Sequence, residues 1–441
     1  MIKYIIKRIA LSVLILLGVS IIIYFLVRLM PTDYLETKFS SQIREGTITQ
    51  EQLDEFRKKY GLYMPDGFLD LEVGGGVLAG TSFRADTKAD RYDDLQSGLL
   101  DHSEFYVGTY TAADQDALFL EIVDDGTYRF VDKSDPTAPK TLASGIYSAD
   151  ANGLRMREGS ADYVSSIEYS EASLWDKFVA VLSGYISWLS NMLRGDMGQS
   201  FIYQKPVGTV IAEHMWISFL ISFVALILQF AIAIPMGITS ATHQYSVRDY
   251  SVTVITMIGI SLPSFFFAAL LIKIFSSWLG WFPASGLVSG SSASVGFAHV
   301  MDMLWHLVLP MVVLVVLSIG GLMRYTRTNM LEVLNSDYIR TARAKGLSEK
   351  KVIYVHAFRN TMIPLMTLLA GILPSLFGGA MITEEVFSID GIGRLAYNAL
   401  QQGDIPFIMG YNMFLAVLTV IGTLLSDLMY AVVDPRVKLS K

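Results

Sequence analysis

The chain has no cysteine, which removes disulfides, thiolate metal sites and cysteine nucleophiles together. A phosphate-cradling Gly-x-x-x-x-Gly-Lys-Ser/Thr pattern is also absent, so the chain is not expected to be an enzyme that hydrolyses ATP. Its six histidines, His102, His214, His243, His299, His306 and His356, show no i, i+4 pairing, so neither a zinc site nor any other metal or cofactor is expected. His306 reads as a helix-end polar group and His356 as a surface residue. Charge is scarce too: 17% of the 441 residues are charged against 52% hydrophobic, and the hydrophobic ones gather into long runs.

Six runs are long enough to span a bilayer core of about 30 Å at 1.5 Å per residue. They are Ile9 to Val27, Trp216 to Ile238, Val252 to Leu271, Leu304 to Met323, Thr361 to Thr383 and Pro406 to Leu425. Hydrocarbon offers no partner to a backbone amide, so isolated apolar runs must close their hydrogen bonds internally, as helices. The expected fold class is therefore an all-α polytopic membrane protein. Uninterrupted apolar residues with no small-residue cleavage site after them mark the first run as a retained helix rather than a signal peptide.

Few polar groups lie inside these runs, and such groups are costly there. Gln229 in the second run and Ser261 with Pro263 in the third are candidates for a translocation pathway, and interhelical hydrogen bonding is the alternative for Gln229 and Ser261. Pro235, Pro263, Pro364 and Pro374 are expected kinks.

Lys and Arg are unevenly placed between the runs. Lys3, Lys7 and Arg8 precede the first, Arg248 lies between the second and third, eight cations from Arg324 to Arg359 lie between the fourth and fifth, and Arg436, Lys438 and Lys441 close the chain. The stretch from Gly280 to Asp302 has none, and Glu384 to Asp404 has only Arg394. The positive-inside rule then puts both termini and the basic segment in the cytoplasm of a multi-pass protein of the cell (inner) membrane.

About Pro31 to Met215 falls on the other side. Thr49 and Gln52 form a capping box opening a short polar helix that ends at Gly61, and Trp175, Phe178, Val179, Leu182, Ile186, Leu189 and Leu193 mark one apolar face of a later helix. Between them, Asp66 to Ser173 holds 21 Asp or Glu and 8 Lys or Arg, a formal −13 that leaves +6 for the rest. Its β-prone runs FYVGTY, ALFLEIV, GTYRFV, TLASGIY, GLRMR and YVSSIEY are separated by turns, so an inserted antiparallel meander or small barrel is expected. Solvation, docking of an external protein and a ligand in the barrel mouth all remain open as its role. The domain reading is 1–30 first span, 31–65 helical linker, 66–173 acidic β-rich insert, 174–209 amphipathic helix and loop, 210–433 five-span core, and 434–441 cytoplasmic tail.

Residues 336–364, SDYIRTARAKGLSEKKVIYVHAFRNTMIP, are the most distinctive stretch. They read as two short helices joined at Gly346, with Ser336 and Ser348 as N-caps and Glu349 in the second helix's first turn. Ala342 and Ala344 are small enough to let the first helix sit close against a partner, with Arg340, Arg343 and Lys345 solvated or paired.

The segment resembles the cytoplasmic coupling loop of ATP-binding-cassette importer permeases, in the form used by the dipeptide, oligopeptide and nickel branch. Arg340 and Thr341 stand where the general form has Glu and Ala, which is the peptide-branch variant. YIIKRIALSVLILLGVSIIIYFLVRLMP, LRGDMGQSFIYQKPV, ISLPSFFFAALLIKIF, LGWFPASG, EEVFSIDGIGRLAYNAL and DPRVKL match the same family in order. Asp390 stands where the family often has Pro. The resemblance covers residues 1 to about 62 and about 175 to 441, and leaves the insert without a counterpart.

It implies the type I importer fold of six helices and an ATPase-coupling loop at 336–360, carried by Asp337, Tyr338, Arg340, Thr341, Ala342, Arg343, Ala344, Lys345 and Gly346. It also implies partners: a second homologous permease, two cytoplasmic ATPases, an extracytoplasmic substrate-binding protein and membrane lipid, with no nucleic acid. Peptides are the implied cargo, and nickel or another small solute is the alternative within the branch. Two other classes stay open: a secondary transporter, for which the spans carry almost no charge, and a membrane-anchored receptor or adhesion protein working through the insert.

Overall fold

The structure is a computed structural model that describes residues 2–28, 57–58, 61–87, 89–135, 138–150, 153–290 and 296–433. The capping box at Thr49 and Gln52 and the cations at 436, 438 and 441 lie outside the described residues. Two compact units are present, one of residues 1–49 with 189–441 and one of residues 50–188. The chain opens with α1 (Ile2–Arg28) in the first unit.

The second unit is built on a closed eight-stranded antiparallel barrel. Its strands are β1 (Gly67–Glu72), β2 (Ser82–Thr87), β3 (Gly108–Ala112), β4 (Gln115–Ile122), β5 (Thr127–Asp132), β6 (Lys140–Asp150), β7 (Gly153–Glu158) and β8 (Ala161–Glu171), with α2 (Ala89–Gln96) and α3 (His102–Phe105) between β2 and β3. Each strand pairs with the next, and β1 closes on β8 with Gly67 opposite Glu171. Period-2 alternation turns one set of side chains inward, and eight strands give an interior narrow enough for such side chains to fill. Phe83, Tyr110, Leu120, Tyr128, Phe130, Leu154 and Met156 fill the interior. Leu95 of α2 and Phe105 of α3 join the same core, and Tyr92 stacks on Tyr169 at 4.1 Å.

The expected β insert is thus a side-chain-filled barrel. Two strands, β1 and β2, were not among the expected runs, and Phe105 of FYVGTY is helical, with β3 starting at Gly108. Outward cations are largely paired within the barrel: Arg84 with Asp70 at 2.6 Å, Arg129 and Lys133 with Glu121 at 2.5 and 3.0 Å, and Arg157 with Asp162 at 3.2 Å. The 21 acidic against 8 basic residues of 66–173 leave its surface net acidic.

α4 (Leu174–Leu193) follows, with Trp175, Phe178, Val179, Leu182 and Ile186 exposed along one face. The remaining helices of the first unit are α5 (Val207–Thr242), α6 (Val247–Ser261), α7 (Ser264–Leu271), which runs into a π-helical turn to Trp278, α8 (Phe297–Leu334), α9 (Asp337–Ala344), α10 (Glu349–Lys351), α11 (Phe358–Gly378), α12 (Met381–Val386), α13 (Ile392–Gln402) and α14 (Ile405–Val433). A second π-helical turn, Val352–Ala357, joins α10 to α11.

Among the described residues, four helical stretches are long and apolar enough to cross a membrane: Lys7–Arg28, Val207–Thr242, Phe297–Leu334 and Ile405–Leu425. A fifth arises if Val247–Ser261 and Ser264–Trp278, bent by 101°, count as one. The third expected run is therefore bent sharply at Pro263, one of the expected kinks. Pro263 follows Leu262, whose backbone is extended at φ −82°, ψ 128°, because a residue before proline is driven out of the helical region. α11 covers most of the fifth expected run and carries Pro364 and Pro374 inside it.

α5 and α8 pack along each other, α11 packs on α14 and α5, and α1 packs on α14. Small residues set the closest approaches, as in bilayers, where apolar burial between helices gives no driving force. A Cβ at Gly237 of α5 would come within 2.7 Å of Thr326 and 2.9 Å of the Met323 carbonyl oxygen in α8. His306 is buried within α8 and hydrogen-bonds the Asp302 carbonyl at 2.8 Å, rather than sitting at a helix end.

Candidate functional site

α9 is a two-turn helix whose one inward stripe is Ile339 and Ala342, both buried. That stripe packs on Ile238 and Ala241 near the C-terminus of α5, on Met330 of α8, and on Val352 and Ala357. Asp337, Tyr338, Arg340, Thr341, Arg343, Ala344, Lys345 and Gly346 stay exposed. Ala342 thus anchors the helix to its own chain instead of lying on a partner-facing surface, and Ala344 remains outward.

Gly346 ends the helix by a Schellman motif. Its N–H donates to the Arg343 carbonyl at 2.9 Å, and the Leu347 N–H donates to the Ala342 carbonyl at 3.4 Å. This places Gly346 at φ +75°, in the left-handed region open to glycine without penalty. Leu347 packs on the cluster beneath. Across the turn, Arg343 grips Glu349 through two N–H donors at 2.7 and 3.3 Å, and that guanidinium holds the Glu349 carboxyl below the usual carboxylate range. Arg340 lies 3.7 Å from Asp337.

Ser336 and Ser348 occupy the N-cap positions with extended backbone, but neither side chain caps. The Ser336 hydroxyl instead donates to the Val333 carbonyl at 2.5 Å, a back-bond available because α8 ends just before it.

Beside this segment lies a buried carboxylate that was not singled out from sequence. Asp249, in the first turn of α6, accepts from Arg327 Nε and Nη2 of α8 at 3.2 and 3.1 Å, from the Tyr245 N–H at 3.0 Å, and from the Ser240 hydroxyl of α5. The signal for it was the spacing Ser246-x-x-Asp249 before an apolar run, an N-terminal capping pattern.

About 30 Å along α5 from Ile238 stands a second polar knot, at 1.5 Å of rise per residue. Buried Glu384 accepts from Ser218 of α5 at 2.8 Å and from the N–H groups of Ala380 and Arg394 at 2.9 and 3.0 Å. Burial pushes its pKa up, against these hydrogen bonds. A Cβ at Gly391 or Gly393 would come within 2.5 or 2.9 Å of its carboxylate, which explains both glycines of the Gly-x-Gly pattern. Asp390 accepts from Arg394 at 2.8 Å, so the chain closes this turn with an ion pair.

Asp404, fully buried, caps α14 through the Phe407 N–H at 3.3 Å and accepts from the Ser200 hydroxyl at 2.5 Å and the Ile202 N–H at 3.1 Å. Tyr203 donates to the Leu395 carbonyl at 3.0 Å, and burial pushes its phenol up to about 12.

The pathway residues make local bonds. Gln229 donates to the Ser318 carbonyl of α8 at 3.0 Å, Ser261 donates to the Met257 carbonyl one turn back in its own helix at 2.8 Å, and Pro263 precedes α7 at the 101° bend. Among the described residues no group of His, Asp and Glu is placed to hold a metal ion.

Several long apolar helices joined through tight small-residue contacts define the class as a multi-pass membrane protein. Residues 233–439 match the family model described as binding-protein-dependent transport system inner membrane component. Curated relatives include the oligopeptide transport system permease protein AppB of Bacillus subtilis, 41% identical over 255 residues that cover 58% of this chain and 79% of the relative. A putative peptide transport system permease of Brucella abortus is 38% identical, covering 57% and 78%. The peptidoglycan transport system permease protein YejB of Agrobacterium fabrum is 35% identical, covering 58% and 71%. Among solved structures, an inward-facing MetNI methionine ABC transporter matches with a TM-score of 0.39 and 16% identity over 51% of this chain and 96% of that one. The chain belongs to the inner-membrane permeases of ATP-binding-cassette importers, in their peptide branch.

Proposed function

We propose that the chain forms half of the translocation pathway of an ATP-driven peptide importer and that α9 is the plug gripped by cytoplasmic ATPase subunits. The observation that carries this reading is the two-sidedness of α9. Ile339 and Ala342 fasten it to the ends of α5 and α8, while Tyr338, Arg340, Thr341, Ala344 and Lys345 face out. A short helix so fastened passes a push from outside directly to two long helices as a rigid-body movement.

A second homologous permease completes the pathway, two ATPases supply the energy, and an external binding protein delivers peptide. The distribution of Lys and Arg supports six spans with both termini and α9 in the cytoplasm, and the barrel on the opposite side. Peptide as cargo rests on the names of the relatives. With inward side chains packed into a core, the barrel works through its acidic outer surface.

The test is to tag the chain in its native membrane, extract it gently and identify what co-purifies. A second permease with ATP-binding-cassette subunits is the expected result; the chain alone, across several detergents and after crosslinking, would overturn the reading.

A further inference from the structure

Resting on the coupling reading of α9, the structure assigns a further role to the pair of buried Asp249 and half-buried Arg327. We propose that it is a positioning clamp that makes α5, α6 and α8 move as one body when α9 is driven. Three observations converge on it. The pair is bidentate, and Asp249 also accepts from Ser240 of α5, so one carboxylate ties together three helices. It sits next to a close approach of α5 and α8, where Gly237 abuts Thr326, the residue immediately before Arg327. The cluster that seats α9 includes Ile238, beside Gly237, and Met330, three residues beyond Arg327.

Without the clamp, the turn joining α5 to α6 is held to α8 mainly by side-chain packing, and a push on α9 is absorbed at that joint. A partly buried ion pair is a modest source of stability, because desolvation of the buried Asp249 carboxylate offsets its attraction, but it fixes geometry where one arrangement must persist. Removing one partner leaves an uncompensated charge and destabilises the fold, whereas neutralising both lifts that penalty and still removes the clamp. Stability and transmission are thereby separable.

The experiment compares Asp249→Asn, Arg327→Gln and the double variant, each purified with its partner subunits and reconstituted in proteoliposomes. Thermal stability, ATP hydrolysis and peptide uptake are read on the same samples. The single variants are expected to lose thermal stability and to lower uptake per ATP hydrolysed at least about fivefold, the lower end of ordinary coupling effects. The double variant is expected to regain stability while uptake per ATP stays low. If uptake per ATP recovers together with stability, or never falls, the pair is structural only and the proposal fails. Variants that no longer co-purify with the ATPases would place the pair in docking rather than transmission, which also overturns it. A failure of the coupling reading itself would show separately, as wild-type chain that never recruits ATPases.

Discussion

Gly346 allows backbone conformation and partner docking to be told apart by three substitutions at one position. At φ +75° a non-glycine residue pays about 1–2 kcal/mol, and Asn and Asp pay less than Ala because they visit the left-handed region readily. No heavy atom lies within 4 Å of a Cβ built at Gly346, so packing adds nothing to that penalty. An Asp at the helix C-terminus adds about 0.3–1 kcal/mol of unfavourable interaction with the helix dipole. Conformation alone therefore ranks the variants with Asn best and Ala worst. Docking ranks them differently, because only Asp places an anion on the exposed rim that carries Arg340, Arg343 and Lys345. The expected outcome is normal membrane insertion for all three, uptake retained by Gly346→Asn and Gly346→Ala, and uptake abolished in Gly346→Asp with loss of co-purifying ATPase. Peptide uptake by cells expressing each variant, beside a pull-down, reads both quantities. Normal uptake by Gly346→Asp, or a greater loss in Gly346→Ala than in Gly346→Asp, would refute the reasoning.

Four further outcomes follow from the geometry. Asp404→Ala strips an N-cap and leaves the buried Ser200 hydroxyl and Ile202 N–H unsatisfied, so detergent-solubilised protein should lose about 2–4 kcal/mol, seen as a lowered melting temperature, while Asp404→Asn should lose less. Leu120→Ala, at a fully buried barrel position, should cost the barrel about 2–5 kcal/mol and raise its proteolysis while leaving uptake in place. Replacing residues 67–171 by a short Gly-Ser linker should preserve assembly with partners, because β1 and β8 pair side by side and the chain enters and leaves the barrel at one place; loss of the assembled complex would count against this. Asp125, held below its usual 3.8 by hydrogen bonds from the Thr127 side chain and N–H, contributes turn stability that is present above that value and fades as pH falls through the lowered pKa. Protection of the Thr127 amide against hydrogen exchange should drop in that acid window and already be low at neutral pH in Asp125→Ala.

Much of this molecule was legible because membrane helices announce themselves by length and composition, and because the coupling segment carries its own punctuation. Gly346 marks a helix end by itself, and the structure places it in the left-handed cap. The side-chain caps expected of Ser336 and Ser348 were less legible, since hydroxyl direction depends on which neighbour is nearer, and for Ser336 that is the Val333 carbonyl. β1 and β2 escaped because Asp70, Arg84 and Asp86 interrupt them, although Leu69, Leu71 and Val73 alternate inward as a strand requires. Buried Asp249, Glu384 and Asp404 look like ordinary loop or cap residues in one dimension. Their partners Arg327, Ser218 and Ser200 are 78, 166 and 204 positions away, a separation that no local pattern encodes.

The central claim is that α9 faces an ATPase, and the absence of cysteine makes its direct test clean within this chain. A single cysteine placed at Thr341, on the exposed face, or at Ala342, on the buried one, carries a photoactivatable crosslinker in the assembled complex. The account predicts that Thr341→Cys captures an ATP-binding-cassette subunit and that Ala342→Cys does not. Capture by neither position, or only of lipid or of this chain itself from Thr341→Cys, would contradict it.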